Sequence, residues 1–103
     1  MVKRIIWTSQ AEEIFSGILL FYVRRNGSKT YSKKLNSEVK KLIIILSNHP
    51  FLGKKTGITN TRVLIKGRYK IFYKIYPEEL VILLFWDNRQ NPEKLSEFLN
   101  DKK

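Results

Sequence analysis

The chain has no cysteine and a single histidine in 103 residues, with only three prolines and five glycines. Without cysteine there is no disulfide framework and no thiolate metal site. His49 alone leaves too few ligands for structural zinc. Long apolar runs are also missing, since Ile18–Val23 and Leu80–Trp86 fall far short of the ~20 residues a spanning helix needs. The first residues lack the charged, apolar and small-residue layout of a signal peptide. These absences set the expectation of a soluble, cytoplasmic chain with no membrane association, no metal and no cofactor.

Negative charge is scarce where it matters. Between Val39 and Pro77 stand nine Lys or Arg (positions 40, 41, 54, 55, 62, 66, 68, 70 and 74) and no Asp or Glu. The acids sit at Glu12, Glu13 and Glu38 and from Glu78 onward, within a formal net charge of +11. A one-sign block of this length attracts polyanions, either nucleic acid or an acidic protein segment. The chain is 43% hydrophobic and 28% charged, which reads as globular and not disordered. Its length fits one domain over residues 1–103, with one modest core.

Local patterns order the elements. Val2–Thr8 is rich in β-branched and aromatic residues and reads as a strand. Ser9-Gln10-Ala11-Glu12 matches a capping box, with Ser9 as N-cap. Ala11, Ile14, Phe15, Ile18, Leu19 and Tyr22 follow at helical spacing until Asn26-Gly27 supplies a left-handed stop. Ser28 is placed to cap a second helix with a stripe of Tyr31, Leu35, Val39, Leu42, Ile43 and Leu46, ended by Asn48-His49-Pro50. Residues 51–60 read as loop. Gly67 and Pro77-Glu78-Glu79 then divide the apolar stretch from Thr61 to Trp86 into three strands. Pro92 is expected to open a short helix carrying Leu95, Phe98 and Leu99 on one side. The expected fold is therefore α+β: an N-terminal strand, an antiparallel helical hairpin packed on a small antiparallel sheet, and a short C-terminal helix.

Four segments in this order carry a resemblance: W-T-S-Q-A-E-E-I, L-S-N-H-P-F-L-G, R-V-L-I-K-G-R-Y-K-I-F-Y-K-I and D-N-R-Q-N-P. Together they resemble the RelE/ParE superfamily, the toxic halves of type II toxin–antitoxin pairs, along almost the whole chain. The resemblance implies a growth inhibitor neutralised by a cognate antitoxin, one that is acidic and folds on binding. Its RelE branch implies metal-independent mRNA cleavage at the ribosome, the expected activity here because a cation cluster at the sheet suits a phosphate substrate; its ParE branch, the alternative, implies action on DNA gyrase by protein contact. A degenerate module that grips RNA or antitoxin without catalysis is the third alternative.

Carried over residue by residue, Arg62, Lys70 and Arg89 match the family's cations. They are expected to converge on one phosphate, where cationic stabilisation matters more than covalent help. RelE-like nucleases carry a Tyr or His shortly after the last arginine, whereas residues 90–98 here hold neither. Asp87, Glu93 and His49 are the candidate substitutes for proton transfer, although His49 reads more simply as a helix terminator beside Pro50. Lys54, Lys55, Lys66, Arg68 and Lys74 form the expected nucleic-acid surface, and a competing reading makes Arg62, Lys66, Arg68, Lys70 and Lys74 a solubilising, edge-protecting set. Tyr73 is a candidate for base stacking, but it shares a strand face with Tyr69, Ile71 and Ile75, which favours the core. Leu95, Phe98 and Leu99 form the expected antitoxin contact.

Overall fold

The computed structural model describes residues 3–89. Its elements run β1 (Arg4–Trp7), α1 (Ser9–Asn26), α2 (Thr30–Asn48), β2 (Lys54–Lys55), β3 (Thr61–Lys66), β4 (Tyr69–Ile75) and β5 (Glu79–Asp87). The strands make one sheet in the order β1-β5-β4-β3-β2. The β2–β5 pairings are antiparallel, and β1 joins the edge of β5 in parallel. The sheet is thus mixed. β1 can lie parallel because the helical hairpin supplies the long crossover that a parallel partner requires. The expected C-terminal helix, with Leu95, Phe98 and Leu99, lies outside the described residues.

The hairpin packs on one sheet face through the alternation of β4. Tyr69, Ile71 and Tyr73 point toward the helices and pair across to Asp87, Phe85 and Ile82. Together with Phe15, Val39, Ile43 and Leu46 they form the larger core. Phe15 stands 4.7 Å from the Phe85 ring, and Tyr69 stands 5.2 Å from it on the other side. A side chain like Phe85, with none of its surface exposed, stabilises the fold by roughly 1.5–3 kcal/mol through burial. Phe72, Leu83, Leu84 and Trp86 are buried in a second cluster. β5 is therefore apolar on both sides, as its unbroken hydrophobic run implied.

Between Phe72 and Tyr73 the β4–β5 register slips by one, opposing them to Leu84 and Ile82 and leaving Leu83 as a bulge. The extra residue is tied back by Thr8, whose Oγ1 donates to the Leu83 carbonyl at 3.0 Å. The same Oγ1 accepts the Ala11 N–H at 3.0 Å, so Thr8 and not Ser9 caps α1. Two adjacent hydroxyl residues qualified as caps. The β5 bulge selected the one within reach.

Gly27 ends α1 in the left-handed conformation at φ 68°, as its place after Asn26 implied. The cap expected at Ser28 is not used: α2 starts after Lys29 with no side-chain cap hydrogen bond. Its apolar stripe buries Leu35, Val39, Ile43 and Leu46, while Tyr31 remains at the rim. The stretch expected to be pure loop contains the two-residue strand β2, paired to Arg62 and Val63. Among the described residues no helix is long and apolar enough to cross a membrane.

Candidate functional site

The three candidate cations do not share a face. Arg62 lies opposite Tyr73 and so projects on the helix-packed side, whereas Lys70 lies opposite Trp86 and projects on the other. Arg62 stands near the start of β3. Arg89 follows the end of β5, next to the β3–β4 turn, where the Asn88 N–H donates to the Arg68 carbonyl at 2.7 Å. In this arrangement the cations expected to gather on one phosphate stand on opposite faces and at opposite ends of the sheet.

Each arginine instead belongs to a separate cluster that also holds a tyrosine. At the first end, the Tyr73 hydroxyl donates to the Pro50 carbonyl at 2.7 Å and accepts the Gly53 N–H at 2.9 Å. Arg62 Nη1 donates to the Gly53 carbonyl at 2.8 Å and to the Phe51 carbonyl at 3.3 Å, with its guanidinium 4.9 Å from the Phe51 ring centre. A Cβ on residue 53 would lie 2.6 Å from the Tyr73 hydroxyl and 2.8 Å from the Val63 carbonyl, so only glycine fits. The cluster pins the 50–53 loop to the sheet. Tyr73 has no exposed surface, which closes it to the base stacking considered for it. Burial raises its phenol above the ordinary range despite the Gly53 bond and Arg62.

At the other end, the Tyr22 hydroxyl accepts from Arg68 Nη1 at 3.1 Å and from Arg89 Nη2. The Arg89 guanidinium lies 5.7 Å from the Tyr22 ring centre, and the Tyr31 ring packs on Tyr22 at 4.6 Å. Arg89 also grips Asp87 through Nε and Nη2, the latter at 2.7 Å, while its backbone N–H donates to Asp87 Oδ1 at 2.9 Å. For Asp87, burial opposes ionisation, but the Arg89 bonds and the nearby Arg68 outweigh it and hold the carboxyl below its usual range. Such a carboxylate stays charged and occupied, a poor proton shuttle at neutral pH. The Asp87 bonds, the first cause, hold Arg89 more firmly protonated than usual. For Tyr22 the upward push of burial is outweighed by hydrogen bonds from Tyr69 and Arg89 and by both arginine charges, so its phenol falls below the ordinary value. Tyr69 moves the other way, raised first by burial and then by bonds to Tyr31 and Tyr22.

Arg25, Arg68 and Arg89, with Tyr22 and Tyr31, line a recess of about 350 Å³. The β3–β4 turn brings Arg68 there, with Gly67 at φ 57° in the first of its two turn positions. Sequence reading placed Arg68 only in a general cationic surface and put Tyr22 in the α1 stripe. The Arg24-Arg25 pair one turn after Tyr22 was the available signal.

The remaining candidates are dispersed. Lys54 and Lys55 are exposed on the β2 edge. Lys66 meets Glu38 at 3.7 Å, and Lys74 sits 5.7 Å from the Tyr76 ring centre. His49 is exposed as the C-cap of α2, its N–H donating to the Ile45 carbonyl at 2.9 Å, the arrangement of a helix terminator. Among the described residues no group of three or more His, Cys, Asp or Glu is placed to hold a metal. Glu93, Leu95, Phe98 and Leu99 lie outside the described residues.

A helical hairpin packed on a mixed five-stranded sheet, with arginines gathered at one end of it, defines a small α+β domain. Residues 5–92 match the model of the ParE toxin of type II toxin–antitoxin systems, parDE, and the chain belongs to this family. The fold is also similar to that of a solved chain from the chromosomal ParDE system of P. aeruginosa. The TM-score is 0.71 at 17% identity, over 84% of this chain and 96% of that one. No curated protein sequence matches. Family membership implies an antitoxin partner and bears out the RelE/ParE resemblance.

Proposed function

We propose that this ParE-family toxin inhibits growth by protein contact with DNA gyrase, the ParE-branch activity, in place of mRNA cleavage. One observation supports this reading above others: the cations a nuclease would gather on a phosphate stand apart. Arg62 is committed to the Phe51 and Gly53 carbonyls, Lys70 projects from the opposite face, and Arg89 is engaged with Asp87. Phosphoryl transfer needs several charges focused on one group in line with the attacking oxygen. The sequence after Arg89 also holds no Tyr or His to move a proton.

The test is controlled expression of the wild type beside Arg89→Ala, with mRNA mapping and plasmid supercoiling followed together. Lost supercoiling or broken chromosomal DNA with intact mRNA is the expected result. In-frame mRNA cuts that vanish in Arg89→Ala would overturn the reading in favour of a nuclease. A harmless wild type would leave a non-catalytic binding module.

A further inference from the structure

α2 turns a lysine face to solvent. Lys29, Lys33, Lys34, Lys40 and Lys41 are all exposed, whereas Leu35, Val39, Ile43 and Leu46 fill the opposite side. At about 100° per residue, Lys29, Lys33 and Lys40 fall in one row, and Lys34 and Lys41 in a second about 100° away. Thr30, Ser37, Ile44 and Asn48 lie between the rows. The one acid of α2, Glu38, lies outside them and meets Lys66 at 3.7 Å. Stability does not account for this face. Lys29 and Lys33 stand at the N-terminal end of α2, where the helix dipole disfavours cations, and as an i,i+4 pair they repel each other. The first turn holds no acid to offset them.

We propose that the outer face of α2 binds the phosphate backbone of duplex DNA, so that the toxin meets gyrase together with the DNA that gyrase holds. From residue 29 to residue 41 the rows cover about 18 Å of helix, the span of about five phosphates along one strand. Two rows set a helix width apart can reach the phosphates on both sides of a major groove about 12 Å wide. Asn48, the amide between the rows, is bonded to the Ile44 carbonyl at 3.0 Å, so the contact is to phosphate and carries no base preference. A protein partner fits this face poorly. Lysine is depleted in protein–protein interfaces, and between the rows only Ile44 is apolar, which leaves such a partner no apolar core to bury. The contact's role rests on the gyrase reading; the contact itself rests on the lysine face.

The purified full chain is titrated with a fluorescent DNA duplex of about 20 base pairs across a salt series, with anisotropy as the readout. The logarithm of the affinity should fall against the logarithm of salt with a slope of roughly −4 to −5, as five neutralised phosphates require. Lys33→Gln combined with Lys41→Gln, one from each row, should make the slope shallower by about 2 and weaken binding at low salt by at least about tenfold. Lys54→Gln combined with Lys55→Gln removes the same charge from the β2 edge and should weaken binding by less than about threefold. All four lysines are exposed, so neither double variant disturbs the core. Equal losses in the two double variants would overturn the proposal, leaving only attraction by net charge. Tighter binding of a polyglutamate chain of equal charge would overturn it in favour of a protein surface, and tighter binding of single-stranded RNA in favour of an RNA surface. Plasmid supercoiling is followed separately in cells. Intact supercoiling with duplex binding that Lys33→Gln and Lys41→Gln weaken would support the DNA contact and sink the gyrase reading. Lost supercoiling with a salt slope that those substitutions leave unchanged would sink the DNA contact alone.

Discussion

The two arginine–tyrosine clusters use the same side chains for opposite ends. Around Tyr73 the phenol has no exposed surface and bonds to backbone, and Arg62 is spent on two carbonyls of the same loop. Around Tyr22 the phenol collects two arginines, and Arg89 keeps 48% of its side chain exposed. The second brings Arg25, Arg68 and Arg89 around one recess, whereas in the first Arg62 is bonded to the loop it holds. Their titrations diverge accordingly: burial raises Tyr73, while hydrogen bonds and arginine charges overcome burial at Tyr22. An arginine beside a tyrosine thus says little until the acceptors around it are counted.

Removing each cluster should separate stability from function. Tyr73→Ala should cost about 3–5 kcal/mol in urea unfolding, because it empties a fully enclosed aromatic site and frees the Pro50 and Gly53 backbone groups. Gly53→Ala should cost about 1–3 kcal/mol through the clash of the new Cβ with the Val63 carbonyl and the Tyr73 hydroxyl. If both variants unfold like the wild type, the 50–53 loop is not pinned and the comparison fails.

Arg62→Gln should lower stability by about 1–2 kcal/mol and leave toxicity per folded molecule unchanged, since its donors serve the loop. Loss of growth inhibition with an unchanged unfolding midpoint would instead make Arg62 a contact residue.

The Asp87 carboxyl is lowered in the fold, so its contribution is present above its unfolded value of about 3.9 and is lost as pH falls through the folded value. The wild type should therefore lose more stability than Asp87→Asn between pH 5 and 2, compared by urea midpoints. Parallel loss in both would remove Arg89–Asp87 as a stabilising pair. The smallest effect is spectroscopic. The wild type should show one tyrosine titrating below the usual range, and Arg89→Gln should move that phenol upward.

Much of the fold was legible because it depends on local chemistry. The α1 stripe, the Gly27 stop, the Gly67 turn and the alternation of β4 each rest on neighbouring residues, and alternation alone directed Tyr69 and Tyr73 to the core. Misses fell where a distant segment decided. Thr8 displaced Ser9 as cap because its hydroxyl also had to satisfy the Leu83 bulge, 75 residues away. β2 escaped notice because Lys54-Lys55 has no apolar period and owes its pairing to Arg62 and Val63. The match of Arg62, Lys70 and Arg89 to family positions carried no information about faces, and strand register put the first two on opposite sides.

By itself the sequence determined a basic, cysteine-free α+β domain, because charge, composition and hydrophobic period are properties of the residues and their neighbours. Tertiary structure alone decided that Tyr22, 46 residues before Arg68 and 67 before Arg89, would be the acceptor those arginines share. The reason is geometric. Sheet register and the lie of α1 over β5 fix which side chains meet across such separations, and neither is written in any local pattern.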